Sequence, residues 1–126
     1  MELHIPPDCG NAPKKALLGD LTVLFASYQV PEAMAHMADD VVWTLVGDKP
    51  VHGREAFAHE LEAMSGNKAV ALTIHAILTH GNDAAVHGEM HMADGHCFGF
   101  ADFYTFTNAK GDRVQAITSY VTKLQA

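Results

Sequence analysis

Cys97-Phe98-Gly99-Phe100-Ala101-Asp102-Phe103-Tyr104-Thr105-Phe106 is the stretch that decides how this chain is read. Aromatic residues suit a pleated, half-buried surface, so their density predicts a strand. Side chains alternate along a strand, which groups Phe98, Phe100, Asp102, Tyr104 and Phe106 on one face. Cys97, Gly99, Ala101, Phe103 and Thr105 fall on the other. The first set is the core face, and Asp102 sits in its middle. A carboxylate turned toward apolar surroundings is costly unless it is paired, hydrogen-bonded or protonated.

Working outward, Asn108-Ala109-Lys110-Gly111-Asp112 reads as a turn and Arg113 to about Leu124 as the last strand. On the other side, Ala93-Asp94-Gly95 predicts a tight hairpin, because Asp-Gly supplies the positive-φ positions. It follows a strand from Ala84 to about Met92. Gly81-Asn82-Asp83 is a turn after a strand from Ala69 to about His80. Before residue 69 the spacing is helical. Leu17, Leu21, Leu24, Phe25 and Tyr28 make one face of a helix entered at Pro13, with Asn11 as its N-cap. Pro31 starts a short helix, Glu32 to about Ala38, closed by a polar turn at Asp39-Asp40. Val41–Val46 is a short strand with Val41, Trp43 and Leu45 on one face. Arg54 to about Met64 is a third helix, with Glu55, Glu60 and Glu62 on its solvated side. The expected order is helix, helix, strand, helix, then four long antiparallel strands. That is an α+β domain, with a curved sheet packed on three N-terminal helices and a cavity between them.

The 126 residues correspond to one domain, with residues 1–12 as an irregular tail. Fifteen acidic residues against eight Lys plus Arg give a net charge of −7, which argues against nucleic acid and anionic membranes. No apolar run approaches the roughly 18–20 residues of a membrane span. Met1 to Pro7 has no basic segment leading into an apolar core, so no signal peptide is expected. Cys9 and Cys97 fit no Cys-x-x-Cys pattern, and a reducing cytoplasm is the default.

Asp102 is the leading candidate for chemistry. In a dry pocket its pKa rises, which equips it to move protons near neutral pH. The alternative is a structural carboxylate bonded to a neighbouring side chain. Tyr104, Trp43, Tyr28 and Ser119 could supply donors to the same cavity, or be core residues with satisfied tips. Ser119 shares the inner face of the last strand with Ile117 and Val121. Met90 and Met92 suit an adaptable apolar pocket, and equally an ordinary core. His87, Glu89 and His91 alternate on one face and are good metal ligands. Gly88, Met90 and Met92 take the inner face, so the histidines are assigned to the outer surface. No cysteine or longer ligand motif accompanies them in sequence, and no metal is expected.

Met37-Ala38-Asp39-Asp40 leading into a strand, Gly53-Arg54-Glu55-Ala56-Phe57 opening a helix, and a late strand followed by an Asn/Gly turn carry a resemblance. The chain resembles the nuclear transport factor 2-like (NTF2-like) superfamily, and more narrowly its SnoaL-like and ketosteroid-isomerase-like branch, from about residue 13 onward. The resemblance implies a cone-shaped barrel over residues 13–126 and a homodimer paired through the outer sheet face, where His87, Glu89, His91 and Phe103 would lie; an exposed Phe103 among polar groups is the expected anchor. It implies a proton-donating role for Asp102. It puts the steroid isomerase's base at Leu45 and its tyrosine near Leu21, so two of the three catalytic groups are missing. The Asp-Arg-Asp set of the superfamily's epoxide hydrolases has no match around Arg54 or Arg113. Two functions stay open. One is a cofactor-independent isomerase, dehydratase or cyclase, with Asp102 and Tyr104 catalytic and Trp43, Leu45, Tyr28, Met90, Met92, Phe100 and Ser119 holding a small hydrophobic substrate. The other is a non-catalytic ligand-binding or accessory protein.

Overall fold

The computed structural model describes residues 1–6 and 13–125. The expected cap at Asn11, and Cys9, lie outside the described residues. The elements run β1 (Glu2–His4), α1 (Pro13–Ala26), α2 (Val30–Met34), β2 (Met37–Leu45), β3 (Val51–His52), α3 (Arg54–Met64), β4 (Ala69–His80), β5 (Asp83–Met92), β6 (Cys97–Phe106) and β7 (Val114–Leu124).

The strands form one seven-stranded sheet in the order β1-β4-β5-β6-β7-β2-β3. The four long strands are antiparallel neighbours, as expected. The sheet as a whole corrects the expectation of an antiparallel barrel in two ways. It is mixed, because β1 runs parallel to β4 and β2 runs parallel to β7. It is also open, with β1 and β3 at its edges. Strand alternation reports which face a residue takes and carries no information on the direction of a distant partner.

Three boundaries also differ. Glu2–His4, inside the expected irregular tail, is an edge strand held in register against Ala71–Thr73. The second helix is the single turn Val30–Met34, with Pro31 in its first turn, where the missing N–H costs nothing. Met37 already pairs with Val114, so Ala38, Asp39 and Asp40 belong to β2 and make no turn. The register shifts between Met37 and Val42, which leaves Asp39 and Asp40 exposed on an irregular segment. Arg54 meets Asp39 at 2.7 Å, and the Gln115 amide donates to Asp40 at 3.0 Å.

α1 packs on β4 and α2, and α3 on β2 and β3. The core lies between these helices and one face of the sheet. Leu18 and Leu21 enter it from α1, Phe57 from α3, Leu72 from β4 and Phe106 from β6. Two residues past the end of α1, Tyr28 has φ +52°, and the Gln29 amide closes back on the Leu24 carbonyl at 2.9 Å. This left-handed ending satisfies carbonyls that the last turn leaves open. No helix among the described residues is long and apolar enough to cross a membrane.

Candidate functional site

Between the helices and the sheet lies a cavity of about 500 Å³. That is within the usual range for a small-molecule site. β6 builds one wall as its alternation requires, with Phe98, Phe100, Asp102 and Tyr104 all lining it. Trp43, Phe57 and Phe25 build another as a continuous stack. Trp43 lies 4.9 Å from Phe57 and Phe57 lies 5.7 Å from Phe25, centroid to centroid. Met64 and Val121 line the cavity while remaining exposed, which marks them as its rim.

Asp102 is the one carboxylate among the described residues that line this space. It is partly buried and lines the cavity. Burial raises its pKa from 3.8 to about 6, and hydrogen bonding from the Ser119 side chain opposes part of that shift. Ser119 is its cross-strand partner on β7. The Trp43 indole Nε1–H donates to Ser119 Oγ at 3.1 Å. A hydroxyl that accepts from an indole has its own proton free to donate. The Trp43 bond therefore leaves the Ser119 hydroxyl proton free on the strand position facing Asp102.

Tyr104 is buried, and its hydroxyl has no hydrogen-bond partner among the described residues. Burial, followed by the negative charge of Asp102, pushes its pKa well above the usual phenol range. The phenol stays protonated beside Asp102, with its ring in the cavity wall. Tyr28, half-buried on the helical side, also has its pKa raised by burial and remains a donor.

The nine residues singled out from sequence (Asp102, Tyr104, Trp43, Leu45, Tyr28, Met90, Met92, Phe100 and Ser119) all line the one cavity. The position assigned to a catalytic base is the apolar side chain of Leu45, on the wall. Leu21, at the tyrosine position, is fully buried in the core. Its neighbour Thr22 does reach the wall, but its hydroxyl donates to the Leu18 carbonyl at 2.7 Å. Sequence reasoning missed Phe25, Phe57, Leu61 and Phe98 as cavity residues. Helical spacing marks the first three as inward-facing, and nothing local separates core from cavity wall. Asn67 was missed for lack of any signal, since it lies in the loop after α3.

A buried hydroxyl without a partner costs about 1–3 kcal/mol. Tyr104→Phe removes that cost while keeping the ring, and the variant is expected to unfold at a higher temperature, by a few degrees at about 1 kcal/mol. A lower unfolding temperature would mean that the hydroxyl is bonded in solution.

The SnoaL-like domain family matches residues 21–118. No curated protein matches the chain. Among solved structures, an NTF2-like protein of unknown function from Cytophaga hutchinsonii is 23% identical, with a TM-score of 0.65 over 82% of this chain and 94% of that one. A second NTF2-like protein of unknown function, from Burkholderia xenovorans, is 15% identical, with a TM-score of 0.71 over 86% and 82%. A putative ketosteroid isomerase from Kribbella flavida is 19% identical, with a TM-score of 0.72 over 88% and 78%. At these identities the likeness is one of fold. With the family match spanning most of its length, the chain belongs to the SnoaL-like domain family and has the NTF2-like α+β fold.

Proposed function

We propose that this protein is a cofactor-independent proton-transfer enzyme, an isomerase, dehydratase or cyclase, acting on a small hydrophobic molecule that bears a carbonyl group. The observation that carries this reading is a single carboxylate with a pKa of about 6 in the wall of an otherwise largely apolar cavity. A group titrating near the working pH can both take and return a proton. Ionised Asp102 takes a proton from the carbon next to the substrate carbonyl, and the electron pair moves onto the carbonyl oxygen. The same proton then returns from Asp102 to another atom of the substrate, so no cofactor is consumed. The Ser119 hydroxyl faces the carboxylate across the strand pair, and the protonated phenols of Tyr28 and Tyr104, both from residues of the cavity wall, serve as donors to the developing oxyanion. Trp43, Leu45, Met90, Met92 and Phe100 exclude water and hold the apolar body of the substrate.

The test is hydrogen exchange from D₂O into a panel of cyclic ketones and enones, followed by NMR. The wild type is expected to label the position next to the carbonyl, and Asp102→Asn to lose that labelling while still binding the ligand. A second reading, a non-catalytic binder of apolar ligands, is favoured by the apolar side chains at Leu45 and Leu21. Ligand binding with no labelling by the wild type would select it.

The protein is also proposed to be a cytoplasmic homodimer. Leu78, Ala85 and Phe103 stand in one row across the outer sheet face, and Phe103 meets Tyr120 edge-to-face at 5.9 Å. Leu78, Phe103 and Tyr120 are all about half or more exposed, so together they form an apolar patch that a second copy could cover. Light scattering is expected to give twice the chain mass, and Phe103→Glu to give a monomer. A wild-type monomer would remove the proposal.

A further inference from the structure

The outer face of the sheet brings three metal-ligand side chains together across the β5–β6 hairpin. Glu89 and His91 alternate on β5, so both project outward. Cys97 begins β6 and stands directly opposite His91 in the antiparallel register. One ligand atom from each of Glu89, His91 and Cys97 lies within 4.8 Å of the others. The expectation of no metal rested on the lack of a cysteine near His87-Gly88-Glu89-Met90-His91, and strand pairing provides one.

We propose that Glu89, His91 and Cys97 bind a zinc-type divalent cation on the outer face of the sheet, with His75 positioning Glu89. Thiolate, imidazole and carboxylate are all ordinary zinc ligands. Zinc bonds of about 2.3 Å to sulfur and 2.0–2.1 Å to nitrogen, at a tetrahedral angle, put the two ligand atoms about 3.6 Å apart. Cys97 Sγ and His91 Nε2 are 3.7 Å apart. The Cys97–His91 spacing therefore suits a bridging cation, and Glu89 has a carboxylate oxygen within 4.8 Å of both to complete the set. His75 Nε2 lies 2.7 Å from Glu89 Oε2, the kind of outer contact that orients a metal-binding carboxylate. His87 packs against the His75 ring, with centroids 5.5 Å apart, and restrains it. The three ligands sit on adjacent, mutually hydrogen-bonded strands, which hold geometry better than loops do. Water completes the coordination on the open side. Binding converts the Cys97 thiol to a thiolate and releases its proton to solvent.

The site lies on the opposite face of the sheet from Asp102, so it is separate from the proposed catalytic cavity. It is also about six residues along β6 from Phe103, roughly 20 Å at strand spacing, and leaves the apolar patch free.

Protein purified without a histidine tag, stripped with a chelator and titrated with Co²⁺ tests this. One equivalent is expected to bind, with a thiolate-to-cobalt charge-transfer band in the near ultraviolet that Zn²⁺ abolishes by displacement. Cys97→Ser is expected to lose the band, and Cys9→Ser to keep it. His75→Ala is expected to keep the band at about 10–100-fold weaker affinity. Metal-free thermal melts of each variant establish that the fold is retained. Absence of the band in the wild type, its survival in Cys97→Ser or its loss in Cys9→Ser would overturn the site. Unchanged affinity in His75→Ala would overturn the positioning role of His75.

Discussion

Asp102→Asn is expected to lower turnover by about 10²–10⁴-fold, the range that a positioned acid–base group contributes. The amide keeps the shape and most of the hydrogen bonding of the carboxylate but can neither take nor return a proton. The same substitution changes how stability depends on pH. The folded pKa of Asp102 is about 6 against a model value of 3.8, so the folded protein holds this proton more tightly than the unfolded chain does. Below about pH 4 both states are protonated and the full contribution is present. As pH rises from about 4 to about 6 the unfolded chain gives up the proton first, and stability falls. Above about pH 6 the loss is complete. Its size is about 1–3 kcal/mol, after allowing for the water that reaches the side chain through the cavity. Urea unfolding at pH 4 and pH 8 measures it. Asp102→Asn should lack this drop and so gain relative to the wild type at the higher pH. Parallel pH profiles for the two proteins would show that Asp102 is not held in a desolvating site, and the proton-transfer reading would lose its support.

Gly88→Ala is expected to cost about 3 kcal/mol or more, at or beyond the upper end of ordinary overpacking. Gly88 lies on the inner face of β5, opposite Ile74 of β4 and Phe100 of β6. The register of β4 shifts between Ile74 and Ala76, and the backbone of β4 comes close beneath Gly88 there. A β-carbon at Gly88 would stand 1.9 Å from the Thr73 carbonyl oxygen and 3.1 Å from the Ile74 Cα. These are backbone atoms, so no rotamer change relieves the clash, and the two strands must separate. The midpoint of urea unfolding should fall while the slope stays near wild type, as for a change in stability alone. A loss below about 1 kcal/mol would mean that β4 and β5 are free to move apart at this point. Ligand affinity should fall with stability, because Met90, two residues along β5, lines the cavity.

The two positions differ in how far the sequence foretells them. Asp102 among aromatic residues is visible from alternation alone, since a period of two assigns each side chain of a strand to a face. The same logic placed Ser119 and Met90 inward and His87, Glu89 and His91 outward. Asp94-Gly95 likewise marks its own hairpin, with Gly95 at φ +89°. Gly88 shows nothing in sequence beyond being a glycine in a strand, because the atom it must avoid belongs to a residue fifteen positions earlier.

The sequence by itself determined the α+β class, the first and third helices, the four long antiparallel strands and the inward direction of Asp102. These follow from local periodicity and turn chemistry, which are properties of a few consecutive residues. The tertiary structure alone decided that β1 and β2 join the sheet in parallel and that Trp43 reaches Ser119. It also decided that Phe25 and Phe57 wall a cavity. Each of these depends on which distant segments are brought side by side, and that pairing is selected by burial and hydrogen bonding over the whole sheet. No local pattern records it, which is why the acid and the residues sharing its face could be read from the chain while the contacts between distant walls could not.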